Sequence, residues 1–402
     1  MAAARDRLGS EVFDLPVTEL RMGYRSAVYF SRTKRILERE KPDLTATMQL
    51  FQKGSSVLCG MDEALAILRL AAGSWADPGR AAELFDSYLA ARRVARASRS
   101  LDDRRRQHEI EAQLDALWRP GWSALEVSAL YDGDRIEPWE TVAHITGPLH
   151  LFAHLESVYL GVLARRTKVA TNVADVVAAA NGKPLLFFAD RFDHFATQGG
   201  DGYAAHIAGA RGVCTDAMAA WWGDTGLGTM PHALIAAYAG DTAAAVEAFA
   251  RHVPGVDLVA LVDFNNDCVR DAVDCARAFG ERLWGIRVDT SETMVDQSVT
   301  HAMMGDFMPA GVNERLVSLV RDGLDAAGGE HVRIIVSGGF DAAKIARFEA
   351  AGAPVDAYAV GSSLLKGGRD FTADVVAVDG RPFAKAGRRL RPNPRLDPVS
   401  FT

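Results

Sequence analysis

Two segments decide how this chain is read: VRIIVSGGF (332–340) and, one short charged helix later, VDAYAVGSSLL (355–365). Each is a β-branched apolar run that stops abruptly in small residues, Ser337-Gly338-Gly339 in the first and Gly361-Ser362-Ser363 in the second. Glycine lets backbone approach a ligand closely and tolerates dihedrals that other residues avoid. Neighbouring parallel strands that both end in Gly/Ser turns direct backbone N–H groups and hydroxyls at one point, which suits a phosphate. In β/α barrels phosphates commonly bind at the loops after the last two strands. The pair therefore predicts a βαβ unit with an anion cradle at its C-terminal edge.

Working backwards, the same strand–helix alternation extends to Leu185. Apolar strands are expected at Leu185–Ala189, Val256–Val262, Leu283–Val288, Val332–Val336 and Val355–Val360, with a shorter one near Gly228–Met230. Ala-rich helices are expected between them, over Thr242–His252 and Asp267–Phe279, the latter burying Cys268 and Cys275 one heptad apart. Near-continuous apolar strands imply a parallel sheet covered on both faces, and about six of them fit an incomplete barrel better than an open sheet. GLGTMP (226–231) lacks the third glycine and a preceding strand, so no dinucleotide fingerprint is assigned.

Residues before about 150 read as a mixed α+β region. A charged helix covers Arg32–Glu40, a strand Leu44–Phe51 and an apolar helix Met61–Ala72. Arg80–Trp118 is strongly helical, its arginines interleaved with acids as on a solvated face. A hairpin is expected over Ala124–Glu140 around Asp132-Gly133, then a strand ending at Pro148. A helix over about 150–163 comes next; His150 and His154 are four apart on it, but no HExxH pattern accompanies them. The tail carries a strand at Phe371–Asp379 and a basic run to Arg395, too short to fold alone. The expected architecture is α/β: an incomplete parallel β/α barrel over 151–368, and an α+β N-terminal domain over 1–150 completed by a C-terminal tail, 369–402.

Composition excludes several classes. The 402 residues are 49% hydrophobic and 24% charged, with a formal net charge of −7. A dedicated nucleic-acid binder would need a basic face. Four cysteines without a CxxC pair give no disulfide framework. The first 15 residues lack the apolar core of a signal peptide, and no apolar run approaches a membrane span. A cytoplasmic protein with no membrane partner is expected.

Barrel enzymes place reactive groups where strands end. Those ends supply Asp190-Arg191, Asp193-His194, His232, Asp263, Arg287, Asp289 and the two Gly/Ser turns. Arginines and Gly/Ser loops handle phosphate oxygens, and carboxylates hold Mg²⁺. The composition of this rim points to a phosphorylated substrate with a metal-bound leaving group.

At these residues the chain resembles the nicotinate phosphoribosyltransferase family, the barrel-type enzymes that include quinolinate and nicotinamide phosphoribosyltransferases. The matching pieces are Tyr29-Phe30-Ser31-Arg32-Thr33, Asp190–His194, Gly228-Thr229-Met230-Pro231-His232, Val262-Asp263, Gly285–Asp289, Ser337-Gly338-Gly339 and Gly361-Ser362, in family order. The resemblance implies transfer of a phosphoribosyl group from phosphoribosyl pyrophosphate to nicotinate, with Mg²⁺ and with ATP as co-substrate, giving nicotinate mononucleotide for NAD biosynthesis. It implies that Ser337, Gly338, Gly339, Gly361 and Ser362 hold the 5′-phosphate. Arg287 and Asp289 would line base and ribose, with Asp289 also a metal ligand, and Arg191, His194 and Asp263 would contact substrate. His232 matches a histidine phosphorylated by ATP. Tyr29 matches an aromatic that stacks on the pyridine from a neighbouring subunit, so a homodimer or larger assembly with shared sites is implied.

In many relatives two adjacent arginines stand where this chain has Arg191-Phe192. Asp216, in a loop where relatives distinguish acid from amide, keeps nicotinamide open as a substrate. Quinolinate would want a denser basic pocket. A phosphate-binding barrel lyase or isomerase would need a reactive lysine or glutamate at a strand end, and a non-catalytic sensor of phosphoribosyl ligands is the reading from another class.

Overall fold

A computed structural model describes residues 5–303 and 305–400. The chain divides into two units: residues up to Thr167 together with those from Gly368 onward, and Lys168–Gly367. Among the described residues no helix is long and apolar enough to cross a membrane.

The first unit is built on a six-stranded antiparallel sheet. Its order is Arg381–Pro382, Phe371–Val378, Thr45–Gln52, Thr141–Pro148, Glu126–Ala129, Asp397–Pro398. Both edge strands come from the tail, and so does Phe371–Val378, which pairs directly with the central strand Thr45–Gln52. The C-terminal segment thus completes the N-terminal α+β domain. Met48, Leu50, Val127 and Ile145 of this sheet pack with Leu65 and Leu68 of the helix Met61–Ala71. They bury the period-two side of the strands against the apolar side of the helix.

Three expectations change here. The segment Glu126–Ala129 does not form a hairpin with Arg135–Ile136; it pairs with Thr141–Pro148, while Arg135–Ile136 pairs with Ser56–Val57. The turn at Asp132-Gly133 exists, with Gly133 at φ 89°. The buried Asp132 carboxylate, however, accepts from Met61 N at 2.7 Å, and Gly133 N donates to Leu58 O, which draws the chain to another strand. The helical stretch after Arg80 is two helices, Pro78–Ala97 and Leu101–Leu117. They separate because Ser98 and Ser100 accept backbone N–H groups on their side chains, which competes with helix continuation. The helix expected over 150–163 is instead Leu149–Phe152, a 3₁₀ turn, then Glu156–Ala179.

The second unit holds the barrel. Six parallel strands run Val259–Leu261, Gly285–Val288, Arg333–Val336, Ala357–Val360, Leu185–Phe187 and Gly212–Val213 in spatial order. In chain order the last two come first, so the sheet curls round until only Gly212–Val213 and Val259–Leu261 stay unpaired to each other among the described residues. This is the incomplete barrel. The strand foreseen at Gly228–Met230 is absent; its place is taken by Gly212–Val213, beside which Leu227 N donates to Val213 O at 2.7 Å. Gly226, Gly228 and Pro231 explain this, since glycine weakens a strand and proline cannot donate to its ladder. Helices Thr242–His252 and Cys268–Phe279 lie where their patterns place them, each capped by an aspartate.

Register fixes which residues face inward. Leu261, Arg287, Ile335 and Ala357 are laterally paired, and two residues on Ala359 pairs with Leu186. Val259, Ile335, Ala357 and Ala359 with Leu186, Phe188 and Trp284 form the interior cluster. Arg287 is therefore the one cation of its inward layer among these paired residues, at the C-terminal end.

Candidate active site

The C-terminal ends of the barrel strands surround a cavity of about 560 Å³. Its lining brings together Asp190, Arg191, His232, Arg287, Asp289, Ser337, Gly338, Gly339, Gly361 and Ser362, with Phe188, Phe192, Cys214 and Thr229 between them. A second hollow of similar size opens at the other end of the strands, around Trp284 and Arg333, and contains none of these residues.

Arg287 is half-buried, and among the described residues its Nη2 reaches only the Met230 carbonyl, at 3.4 Å. Its Nε is buried with no partner among the described residues. The centre of the Phe188 ring lies 6.0 Å from the guanidinium. Burial pushes the Arg287 pKa down, and Asp289 and Asp263 oppose that shift. A buried guanidinium without its full set of acceptors is costly unless an anion completes it.

Asp289 Oδ1 accepts from Ser337 Oγ at 2.7 Å, and Ser337 N continues the ladder to Val288 O. The carboxylate is so oriented by the first glycine turn. Gly338 and Gly339 come next at φ 82° and 67°, a left-handed region that side chains resist. At the second turn, Gly361 lies so tightly against the Phe192 ring and Phe188 O that a Cβ has no room. Ser363 Oγ donates to Phe340 O at 2.7 Å and ties the two turns together.

His232 opens a short helix, and its Nε2 is 2.9 Å from Asp263 Oδ2. The hydrogen bond to Asp263 raises the His232 pKa above 6.5, against burial and Arg287. Asp263 thus acts behind the histidine and is not part of the cavity lining. A histidine raised in this way adds stability that is fully present below 6.5 and is lost as pH rises through its folded value. Asp263→Asn is expected to bring the imidazole midpoint down, because burial and Arg287 then oppose Asp289 alone. Proton NMR of the imidazole checks this, and an unmoved midpoint would refute the pairing.

His194 also lies outside the lining. It caps a 3₁₀ turn, accepting from Ala196 N at 3.2 Å on Nδ1, and stacks on Phe195. Tyr29 belongs to the first unit, on the helix Val28–Glu40, and is 63% exposed. Asp216 accepts from Gly226 N at 2.9 Å, on the surface and away from the cavity lining. The loop residue that does face the cavity is Cys214. Its thiol donates to Asp190 Oδ1 at 3.1 Å, and burial together with that hydrogen bond pushes its pKa up to about 12.

Among the described residues no three His, Cys, Asp or Glu side chains group to hold a metal. Asp289 and Asp190 line the cavity separately. This donor set fits Mg²⁺ only where substrate phosphates supply further oxygens, the usual mode for that ion.

Sequence reasoning missed Phe188, which closes the top of the barrel interior, and Glu292 and Lys344 beside the first glycine turn. Period-two extension of the strand register would have found the first, since Phe188 comes two residues after Leu186 on the inward face.

The chain is similar in fold to solved structures of enzymes that act on pyridine nucleotides. The nicotinate-nucleotide pyrophosphorylase of Pyrococcus furiosus superposes with a TM-score of 0.69 over 92% of this chain and 79% of that one, at 28% identity. Human nicotinic acid phosphoribosyltransferase shares the fold, with a TM-score of 0.61 at 16% identity over 90% of this chain and 77% of that one. In sequence the chain is similar to two Mycobacterium tuberculosis proteins, nicotinate phosphoribosyltransferases pncB2 and pncB1. They are 32% identical over 261 residues and 30% over 272, covering 63% and 65% of this chain. The matches span 52% and 55% of those proteins, so the chain spans about half the length of the curated relatives it matches. No protein-family model matches.

Proposed function

We propose that this chain is a nicotinate phosphoribosyltransferase of NAD biosynthesis. The observation that carries the reading is the buried, under-paired Arg287 facing the same cavity as two glycine turns. Its likeness to the mycobacterial enzymes supports the choice of reaction.

In this reaction the pyridine nitrogen attacks C1 of phosphoribosyl pyrophosphate while the C1–O bond to pyrophosphate breaks. The transition state resembles an oxocarbenium ion, so the protein contributes chiefly position and charge. The two turns anchor the 5′-phosphate. Arg287 meets the anionic side of the reacting pair, and Asp289, steadied by Ser337, faces the ribose and would be the carboxylate that holds Mg²⁺. Mg²⁺ held by Asp289 and by pyrophosphate oxygens would neutralise charge on the leaving group. Phe188 and Phe192 offer apolar faces to the pyridine.

His232 is the candidate acceptor of a phosphoryl group from ATP. Asp263 occupies Nε2, leaving Nδ1 for that role. The exposed face of Val28, Tyr29 and Ile36 suits burial by a second copy, which would bring Tyr29 to the partner's site. Two features favour nicotinate over its neighbours. Asp216 is engaged by Gly226 and does not face the cavity as an amide reader would, and only two arginines line the cavity, few for the diacid quinolinate.

The test incubates the protein with Mg²⁺ and phosphoribosyl pyrophosphate, adding nicotinate, nicotinamide or quinolinate separately, with and without ATP. Mononucleotide from nicotinate, stimulated by ATP, is expected. Product from another base would overturn the substrate, and no product with any base would favour a ligand sensor.

A further inference from the structure

Asp190 is a cavity-lining carboxylate that the transfer reaction leaves without a role. It follows the strand Leu185–Phe187, and Cys214 follows the adjacent parallel strand Gly212–Val213, whose Val213 pairs with Phe187. Cys214 Sγ donates to Asp190 Oδ1 at 3.1 Å, and among the described residues the carboxylate accepts from no other donor. It makes no ion pair among them either, although Arg191 and Arg287 line the same cavity. The thiol is a fixed donor, since its pKa stands at about 12 and it keeps its proton at neutral pH. The backbone is held as well. Gln198 Nε2 reaches Asp190 O at 3.5 Å, and Thr215 Oγ1, next to Cys214, donates to Gln198 Oε1 at 3.2 Å. A thiol is a weak donor, so the carboxylate is oriented without being satisfied, and its Oδ2 is open to a further donor.

Strand order places this carboxylate relative to the glycine turns. Around the rim stand Asp289, the turn at Ser337, the turn at Gly361, Asp190 and Cys214, each after one of five neighbouring strands. The two turns thus lie between two carboxylates. Gly361 abuts Phe188 O, two residues before Asp190, and neighbouring strands are about 4.8 Å apart. A phosphate held by the turns has Asp190 to one side and Asp289 to the other, one or two strand spacings away. That is the reach of a five-membered sugar from its own 5′-phosphate. With no metal between them, a carboxylate repels the phosphate itself and suits a hydroxyl donor on the same ligand. We propose that Asp190, oriented by the Cys214 thiol, accepts a hydrogen bond from a ribose hydroxyl and makes the site specific for phosphorylated ribose over its deoxy forms. This rests on the reading of the cavity as a phosphoribosyl site. Cys214 is a positioning residue: its weak hydrogen bond aims the carboxylate and leaves its charge intact, whereas an ion pair with Arg191 would neutralise it. A site built to bond a hydroxyl rejects the analogue that lacks it, because the acceptor is then left unpaired.

The experiment measures binding by calorimetry in metal-free buffer. Ribose 5-phosphate, its 2-deoxy and 3-deoxy analogues and inorganic phosphate are titrated into the full chain and into Asp190→Ala, Cys214→Ala and Cys214→Ser. The parent is expected to bind at least one deoxy sugar about tenfold more weakly than ribose 5-phosphate. That penalty should vanish in Asp190→Ala, shrink in Cys214→Ala and return in Cys214→Ser, whose hydroxyl is again a donor. Inorganic phosphate should bind Asp190→Ala at least as tightly as the parent, since a negative charge has gone. Equal affinity for the three sugars in the parent, or penalties that all survive in Asp190→Ala, would overturn the role of Asp190. A penalty unchanged in Cys214→Ala would overturn that of the thiol. Loss of inorganic phosphate binding in Asp190→Ala would make the carboxylate part of the fold of the rim and overturn the proposal as well. If the parent binds neither phosphate nor any sugar phosphate, the phosphoribosyl reading of the cavity itself fails.

Discussion

Arg287→Met is expected to abolish transfer while leaving the fold as stable as before, or more so. The guanidinium sits on the inward face of its strand, level with Leu261, Ile335 and Ala357, and has one long hydrogen bond to a carbonyl. Its Nε is buried and unpaired, and burial already lowers its pKa. Replacing an under-satisfied buried ion by an apolar side chain of similar length is commonly neutral or stabilising by about 1–4 kcal/mol. Losing a preorganised cation at a site of developing charge costs on the order of 10²–10³ in kcat. The two effects run in opposite directions, which is what distinguishes a ligand-binding arginine from a structural one. Urea unfolding and mononucleotide formation measured on the same preparation check this. A variant that is both inactive and clearly less stable would make Arg287 part of the fold and remove the central observation behind the proposed function. Arg287→Lys should recover little activity, since an ammonium cannot reproduce the planar fork.

Arg287 also shows how far the sequence carried. The strand Gly285–Val288 was legible because Ile286 and Val288 are apolar and Asp289 ends the run, and strand ends are where barrel sites lie. The glycine turns were legible for the same reason: apolar β-branched runs that break into Ser-Gly-Gly and Gly-Ser-Ser leave little else for the backbone to do. Cap residues made helices legible, as Asp241 does ahead of Thr242–His252. Two of the failures share a cause, the recruitment of a segment by a partner distant in sequence. Asp132 reads as a hairpin turn, yet its carboxylate is taken by the N-terminus of the helix at Met61, 71 positions away. Gly212–Val213 is a strand of two residues, too short for any periodicity, and exists because Leu186 and Phe187 offer it an edge.

The site divides along the same line. Residues whose place is set by strand register, Arg287, Asp289 and the two turns, line one cavity. Of the residues carried by loops, Asp190 and Arg191 reach the cavity as the strand end before them implies, and others do not. His194 turns out to cap its own turn, Asp216 binds Gly226, and Cys214 faces the cavity. Glu292 went unnoticed because nothing in SETM marks a carboxylate that folds back 47 positions short of the glycine it covers. Loop side chains are set by contacts between segments, which no single local pattern encodes.

The second large effect is expected at Gly361. Its backbone, φ −125° and ψ −96°, does not lie at positive φ, so the obstacle to a side chain is space. An added Cβ would stand 2.6 Å from Phe188 O and would also collide with the Phe192 ring. A ring can rotate away, but a strand carbonyl cannot. Phe188 N donates to Val360 O at 2.8 Å, so displacing it strains the seam between two barrel strands. Gly361→Ala should therefore cost about 1–3 kcal/mol of stability, as overpacking does. It should also weaken inorganic phosphate binding by about 30-fold or more, because the turn must open where the 5′-phosphate is expected. Adding Phe192→Ala separates the two collisions. The double variant should regain the part of the loss due to the ring and keep the part due to the carbonyl, so that phosphate affinity stays well below that of the parent. Full recovery in the double variant would mean that Phe192 alone defines the wall of the turn, and a Gly361→Ala protein that binds phosphate normally would place the anchor elsewhere in the cavity.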